Sequence, residues 1–261
     1  MKDTTENAPL AQHVSYVNEW LGVLSGATKR GLIAPSEATQ IEGNYLIGLL
    51  ALDGLRDRIF EALRAGPAAE MALDAIVPAY APGDVIELRA LDPAGGGGLS
   101  LCGRLDDPAE RAALVAFVRN HNGRRNLYVG CNPRRADMAG TAQAASAADV
   151  PVRRNVVLDF DLKDAPSVDP DFQRTLDALR TKLDPLMIVN SGNGYHVWLP
   201  IEPMSGPDLD VSAGPLATAM ARIGADNLAD LPQIVRLPST LNLPSPSKRA
   251  RGATVRLAVT C

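Results

Sequence analysis

The amino-acid sequence predicts an α+β fold, with a helical module followed by a domain built on a mostly antiparallel sheet. In the first part of the chain, apolar residues recur at helical spacing. From residue 78 onward, short strand-like runs mix with helices and lack the regular strand–helix–strand alternation of parallel sheets. We therefore predict two units, a helical module over residues 1–77 and a sheet-containing domain over residues 78–261.

The module is predicted to contain three helices. Helical periodicity covers 13–24, and glycines then interrupt it. A second helix is expected over 35–63, because Pro35 suits the first turn of a helix and apolar residues follow at helical spacing. A short apolar helix over 68–76 completes the module. We find no set of residues in this part of the chain that indicates catalysis.

The second unit is predicted as strands with intervening helices. Glycine-rich segments at 95–98 and 192–194 are typical of hairpin turns, which favours antiparallel pairing of the strands beside them. The predicted strands are 84–91, 99–103, 126–131, 155–161, 186–190, 195–201 and 254–259. The predicted helices are 108–121, 171–183 and 215–223, and 134–150 is expected to be a long loop.

The composition argues against several classes of protein. The chain has 261 residues, of which 46% are apolar and 21% charged, as in proteins with a substantial core. It has no run of 18 apolar residues and no apolar segment of a signal peptide at its start, so we expect no membrane association. Three cysteines without a C-x-x-C pair disfavour a disulfide framework or a zinc site, and we expect a reducing, cytoplasmic location.

Two carboxylates stand out at the end of the predicted strand 155–161. Asp159 and Asp161 are two residues apart, and side chains of a strand alternate between its faces, so both should project from the same face. Carboxylate oxygens on a rigid element suit a hard divalent cation such as Mg²⁺. The alternative is a strand end that simply turns toward solvent.

Two later segments add groups that suit phosphate chemistry. The turn 191–194 has glycines that let a backbone approach a ligand closely, and His196 follows it on the next strand. Asp226 and Asp230 come after the predicted helix 215–223, and either could supply a third carboxylate for two metal ions. Each of the two could instead cap a helix. Together these segments indicate metal-dependent nucleotidyl transfer.

Arginines are concentrated just before the carboxylate pair. The net charge of −4 provides no overall attraction for nucleic acid, but a local groove for phosphates is plausible. The arginines that we consider as candidates for nucleic-acid binding are Arg124, Arg125, Arg134, Arg135, Arg153 and Arg154. The alternative for each is an ordinary solvated surface charge.

In their order and spacing, these motifs resemble the archaeo-eukaryotic primase superfamily, in its bacterial, plasmid and phage primase-polymerase branch. That family carries a D-x-D or D-x-E strand, a turn and strand of the form S/G-x-G-x-H, and a late aspartate before a segment similar to R-L-P-G-T-x-N. The corresponding parts of this chain are 159–161, 191–196, Asp226 and 236–242. The resemblance covers roughly residues 78–258, and Ser239 stands where the family has glycine.

The resemblance implies an RRM-like primase catalytic core and gives roles to its residues. Asp159, Asp161 and Asp226 would bind two Mg²⁺ or Mn²⁺ ions, with Asp230 as the alternative to Asp226. The groups implied for binding the triphosphate of an incoming nucleotide are Ser191, Gly192, Gly194, His196 and Arg236.

The activity that the resemblance implies is synthesis of primers on single-stranded DNA from NTPs or dNTPs, for a plasmid, phage or mobile element. Its partners would be the template and a separate helicase or replisome protein. Two other interpretations stay open at this point: a replication-initiator or single-strand-binding module of the same fold without catalysis, and a metal-dependent nuclease.

Overall fold

The computed structural model describes residues 8–46, 51–161 and 170–261. Its first described helices are α1 (Ala8–Lys29), α2 (Pro35–Leu46), α3 (Leu52–Ala65) and α4 (Ala68–Ile76). The helix predicted over 35–63 is therefore described as two helices, α2 and α3, and residues 47–50 between them lie outside the described part of the chain. None of the helices in the described residues is long and apolar enough to span a bilayer.

The apolar faces of α1, α2 and α3 pack into one cluster. Trp20, Ile41 and Ile59, one from each helix, are at most 2% exposed within it. Leu241 and Val255, from near the end of the chain, join the same cluster. The three helices are therefore docked onto the second unit through shared apolar contacts, which stabilise the pair of units together.

Helix α4 packs differently from its three neighbours in sequence. Leu73 and Ile76 are fully buried in the cluster that also contains Leu88 and Leu127 from the sheet domain. The boundary predicted between residues 77 and 78 thus does not coincide with a break in packing among the described residues.

The second unit contains strands and helices in an order close to the predicted one. Its described helices are α5 (Pro108–His121), α6 (Pro170–Leu183), α7 (Gly206–Val211), α8 (Ala213–Arg222) and α9 (Pro246–Ala250). Its described strands are β1 (Val85–Leu91), β2 (Gly98–Arg104), β3 (Asn126–Gly130), β4 (Val152–Asp161), β5 (Met187–Asn190), β6 (Gly194–Ser205), β7 (Ile234–Arg236), β8 (Leu241–Asn242), β9 (Arg256–Leu257) and β10 (Val259–Thr260).

The strands form two four-stranded sheets, and every pairing between neighbours is antiparallel. The first sheet has the order β2–β1–β3–β7 and the second has the order β10–β5–β6–β4. Strands β8 and β9 make a separate two-stranded ladder. The predicted α+β class with a mostly antiparallel sheet is confirmed. The single strand predicted over 254–259 is wrong: β9 and β10 pair with different strands, and Ala258 between them donates its N–H to Thr240.

The two sheets face each other across the main core. Val157 of β4 and Trp198 of β6 are buried in the same cluster as Val129 of β3 and Val235 of β7. On the opposite face of the second sheet, Leu158 and its neighbours pack against α6 and α8. Side chains on β4 and β6 that share the alternation of Val157 and Trp198 therefore point toward the first sheet.

Candidate functional site

The two carboxylates at the end of β4 lie on the face that looks toward the first sheet. Asp159 and Asp161 have the same alternation as buried Val157. In the register with β6, Asp159 stands opposite His196 and Asp161 stands opposite Gly194. Asp159 is partly buried and Asp161 is exposed, so the pair lies where the core between the sheets opens to solvent.

A third carboxylate is placed beside this pair by the turn after α8. Gly224 has a φ of +73°, which lets the chain turn back after the helix. The N–H of Asp226 then donates to the carbonyl oxygen of Asp159 at 2.7 Å, which makes an isolated bridge to the end of β4. Asp230 acts on Arg153 instead, where its charge raises the pKa of the guanidinium group against the effect of burial. The structure thus brings Asp226, and not Asp230, to the carboxylate pair.

The three carboxylates affect one another electrostatically. Burial, followed by the charges of Asp161 and Asp226, raises the pKa of Asp159 to about 7. The charge of Lys248, on α9, lowers the pKa of the same carboxyl group. A carboxyl group held near other carboxylates in a partly buried place has a raised pKa because its charged form lacks compensation. A bound cation would supply that compensation.

The chemistry of these donors fits a hard divalent cation, since all three are carboxylates. In the described parts of the chain, however, no three acidic, histidine or cysteine side chains stand close enough together to form a ready-made ligand cluster. Binding of an ion by Asp159, Asp161 and Asp226 would therefore require their carboxylates to turn toward a common point. The exposed position of Asp161 leaves space for that change.

His196 is buried beside the carboxylates. Its side chain is 8% exposed, and its Nε2 lies 3.4 Å from Oδ1 of Asp159. Burial, together with the charge of Arg236, lowers the pKa of His196 to about 3. The imidazole is therefore neutral near pH 7, and its contact with Asp159 is not an ion pair. Its Nδ1 is buried and has no hydrogen-bond partner among the described residues.

The turn before β6 is fixed by its own hydrogen bonds. The N–H and the hydroxyl of Ser191 both donate to the carbonyl oxygen of Gly194, and the N–H of Gly192 donates to Oδ1 of Asn190 at 2.8 Å. Gly192 has a φ of +92°, a conformation that favours glycine. Two of the amides that the resemblance implied for triphosphate binding are thus engaged within the turn, which limits their role to shaping the backbone around the site.

Arg236 is buried rather than on the surface. Its Nη1 donates to Asn126 at 2.8 Å, and its Nη2 donates to the Tyr128 hydroxyl at 3.0 Å and to Asn242 at 2.9 Å. The guanidinium carbon also lies 4.3 Å from the centre of the Tyr128 ring. Because burial lowers the pKa of Arg236, these contacts are needed to stabilise the charged group in the interior.

Asn126, Tyr128 and Asn242 were not identified as site residues from the sequence. Asn242 also donates to the carbonyl oxygen of Ser191 at 2.7 Å and so connects Arg236 to the turn before β6. The sequence signal available for Asn242 was its place at the end of the R-L-P-x-T-x-N segment. We find no sequence signal for the other two, because their role depends on the pairing of β3 with β7.

The six candidate arginines do not form one surface. Arg124 is exposed, while Arg125 donates to the carbonyl oxygen of Gly97. Arg135 pairs with Asp137 and Asp149, and Arg154 pairs with Asp84 at 3.0 Å. The remaining two have to be corrected: Arg134 and Arg153 are at most 2% exposed.

Each buried arginine has partners in the interior. Arg134 forms a buried ion pair with Glu87 at 2.8 Å, and Arg153 donates to the carbonyl oxygen of Ala229. Their guanidinium groups are therefore not offered to a nucleic acid at the surface. Arg134 instead holds the start of the long loop 134–150 against β1. Its backbone N–H also donates a hydrogen bond to the carbonyl oxygen of Val85.

Comparisons with known proteins gave similar structures but no similar sequences. No family model matches the chain, and no curated protein does. The structure is similar to that of primase RepB′, with a TM-score of 0.47 and 15% identity over 74% of this chain and 56% of that chain. The chain thus spans little more than half the length of that protein.

Two further solved structures are similar to this one. One is the AEP domain of the cyanophage S-2L primase-polymerase, with a TM-score of 0.46 and 14% identity over 74% of this chain and 88% of that chain. The other is the catalytic domain of primase RepB′ in complex with initiator DNA, with a TM-score of 0.44 and 16% identity over 73% of this chain and 84% of that chain. These likenesses concern the fold alone.

Proposed function

We propose that this protein is a DNA-templated nucleotidyltransferase, a primase or primase-polymerase that makes primers on single-stranded DNA. One observation carries the proposal. Asp159 and Asp161 share one face at the end of β4, and Asp226 is bridged to the backbone of Asp159. The charges of Asp161 and Asp226 act on the carboxyl group of Asp159, which lies beside the buried, neutral His196. Two-metal chemistry of phosphoryl transfer requires acidic ligands on rigid elements in such a place.

The carboxylates would hold Mg²⁺ or Mn²⁺, and the bound ions would lower the pKa of the attacking 3′-hydroxyl and stabilise the pyrophosphate that leaves. In support of this, Asp159 and Asp161 share one face of β4, and the N–H of Asp226 donates to the backbone carbonyl of Asp159. Asp230 is the weaker candidate for the third ligand, because its charge acts on Arg153 and not on Asp159.

His196 would bind the triphosphate of the incoming nucleotide. Its Nδ1 has no hydrogen-bond partner among the described residues. In the tautomer that carries the proton there, it would donate a hydrogen bond to a phosphate oxygen once neighbouring groups move to expose this buried atom. Arg236 would add positive potential to the site, because its charge acts on His196 and is held in place by Asn126, Tyr128 and Asn242. Ser191, Gly192 and Gly194 would set the shape of the backbone beside the nucleotide.

The substrates would be NTPs or dNTPs and the partner a single-stranded DNA template. A plasmid, phage or mobile element is the setting that fits such an enzyme, and unwinding of the duplex would be the task of a separate helicase or replisome protein. These parts of the proposal follow from the resemblance of the motifs.

The test is a primer-synthesis assay. Purified protein is incubated with unprimed single-stranded DNA, labelled nucleotides and Mg²⁺ or Mn²⁺, beside the double variant Asp159→Ala/Asp161→Ala and the variant Asp230→Ala. We expect short labelled products from the wild type and from Asp230→Ala, and none from the double variant. Binding of single-stranded DNA, measured by fluorescence anisotropy, should be similar in all three proteins.

Other outcomes would identify the alternatives. Binding of single-stranded DNA without synthesis, on several templates and with both ions, would favour a non-catalytic initiator or binding module. Shortening of a labelled strand in the presence of the ions, without growth when nucleotides are added, would indicate a nuclease that uses the same carboxylates. Synthesis by the double variant would refute the assignment of the site.

A further inference from the structure

A second candidate site lies where the N-terminal helices meet the sheet domain. A pocket of about 590 Å³ opens there between α1 and α3 on one side and the turn between α5 and β3 on the other. Its lining includes the rings of Tyr16, Trp20 and Phe60 and the guanidinium groups of Arg64 and Arg124. A pocket of this volume is in the range that holds a small ligand.

The pocket rests on a closely packed junction. Gly123, in the turn between α5 and β3, has a φ of +87°, and a Cβ built on it would lie 2.7 Å from Cδ1 of Phe60. The side chain of Glu19 is 4% exposed, lies 3.3 Å from Arg249 and accepts the N–H of Val255. Contacts between distant parts of the chain therefore fix the walls of the pocket in relation to each other.

Most of the charges at the pocket are already paired. Asp57 is bound by Arg56 at 3.1 Å, and Glu61 is bound by Arg58 at 2.5 Å. Glu19 pairs with Arg249 in the same way. In the described part of the chain, the side chains of Arg64 and Arg124 make no hydrogen bond and no ion pair. These two cations on opposite walls are left to attract an anion.

Tyr16 and Phe60 contribute partly exposed aromatic surface to the pocket, and buried Trp20 packs beneath them. The ring of Trp20 packs edge-on against Tyr16 and Phe60, with centroid distances of 6.1 and 5.2 Å. Nε1 of Trp20 is buried and has no hydrogen-bond partner among the described residues. Aromatic rings together with unpaired arginines are the groups that bind nucleotide units, since the rings contact bases and the cations attract phosphates.

A chain of hydrogen bonds connects the pocket to the candidate active site. Leu243 lines the pocket, and its N–H donates to Oδ1 of Asn126 at 2.7 Å. The same oxygen accepts a hydrogen bond from Arg236, whose charge acts on His196. Asn126 is therefore a shared partner of the pocket lining and of Arg236.

We propose that this pocket binds a nucleotide unit, with the phosphate between Arg64 and Arg124 and the base against the aromatic rings. The identity of the ligand rests on the proposed function, because a template-directed enzyme must hold nucleotides outside its metal site. The unit belongs either to a single strand of DNA or to a free nucleoside triphosphate, which have the same chemistry.

The test uses the full chain and the double variant Arg64→Ala/Arg124→Ala. Lys29→Ala/Arg30→Ala is the matched control, because it removes the same charge from exposed positions at the end of α1, outside the pocket. Binding of a labelled oligothymidylate is measured by anisotropy over a range of salt concentrations. Binding of ATP and dATP is followed by the fluorescence of the two tryptophans, one of which lines the pocket.

For a strand, we expect the pocket variant to lose at least about tenfold in affinity. The slope of log K against log salt should fall by about 0.7, since the contact with one phosphate is lost. The control should keep the affinity and slope of the wild type. Tyr16→Leu should reduce affinity about fivefold and leave the slope unchanged, because it removes a ring and no charge. This second variant tests the pocket if the arginine variant does not fold.

If free ATP or dATP quenches the fluorescence of the wild type, but not of the pocket variant, the source of the unit is a free nucleotide. Equal losses in the pocket and control variants, or no binding of either ligand by the wild type, would overturn the proposal. Failure of the proposed function is distinguishable from this result. If the wild type makes no primers but its binding of a strand depends on Arg64 and Arg124, the pocket proposal stands and the proposed catalytic function is refuted.

Discussion

The substitution Gly194→Ala should damage the fold and the candidate site together. Gly194 begins β6 and pairs with Asp161, and a Cβ built on it would lie 2.2 Å from the carbonyl oxygen of Phe160 and 3.2 Å from Cα of Asp161. A normal contact requires a shift of about 1 Å, and no side-chain rotation can provide it because the obstructing atom belongs to the backbone. Overpacking of this kind costs about 1–3 kcal/mol, and we expect the upper part of that range.

The displaced strand is the one that carries the carboxylates. We therefore expect Gly194→Ala to lower the free energy of unfolding by about 2–3 kcal/mol and to reduce metal-dependent nucleotide incorporation by the protein that remains folded. Unfolding in urea, followed by circular dichroism, measures the first effect. The primer-synthesis assay measures the second.

A matched glycine in a helix provides the control. Gly22 lies inside α1, and a Cβ built on it would have no atom within 4 Å. Gly22→Ala should raise the free energy of unfolding by about 0.5–1 kcal/mol, because alanine has the higher helix propensity. If Gly194→Ala changes the free energy of unfolding by less than about 0.5 kcal/mol, β6 does not approach β4 as closely as the site requires.

Three further predictions concern single side chains. Asp226→Asn should reduce primer synthesis about 100-fold, and Asp230→Asn should leave it near the wild-type rate in the same assay. If Asp230→Asn has the larger effect instead, Asp230 is the third ligand. Arg134→Met should destabilise the protein by about 3 kcal/mol in urea unfolding, because it leaves the buried carboxylate of Glu87 with fewer partners. A loss of stability below about 1 kcal/mol would contradict the buried ion pair. Asp107→Ala should cost about 1 kcal/mol in the same measurement, since the carboxylate accepts the N–H groups of the first turn of α5; an unchanged midpoint would show that this cap does not contribute.

The carboxylate pair could be predicted from the sequence because it depends on local geometry. A strand places residues two apart on one face wherever the strand lies, so Asp159 and Asp161 were certain to share a face once β4 formed. The choice between Asp226 and Asp230 was not local. It depended on how the turn after α8 docks on the end of β4, and the sequence contains no period or spacing that specifies that contact.

The buried arginines show a second limit of the sequence. Arg134 and Arg153 have the same local appearance as exposed Arg124, since arginine is usually a surface residue. Their burial depends on partners far away in the chain, 47 residues for Glu87 and 76 for Ala229. In a similar way, helical periodicity predicted one helix over 35–63, whereas α2 and α3 are separate helices whose apolar faces meet in the same cluster.

The most direct test of the central claim is nucleotide incorporation on unprimed single-stranded DNA as a function of Mn²⁺ and Mg²⁺ concentration. The wild type is compared with Asp159→Asn and with Asp161→Asn, which keep the size of each side chain and remove its charge. We predict labelled products that require the divalent ion in the wild type and that are absent in both variants. Products from either variant at the wild-type level would contradict the assignment of these carboxylates as the metal-binding groups of a nucleotidyltransferase.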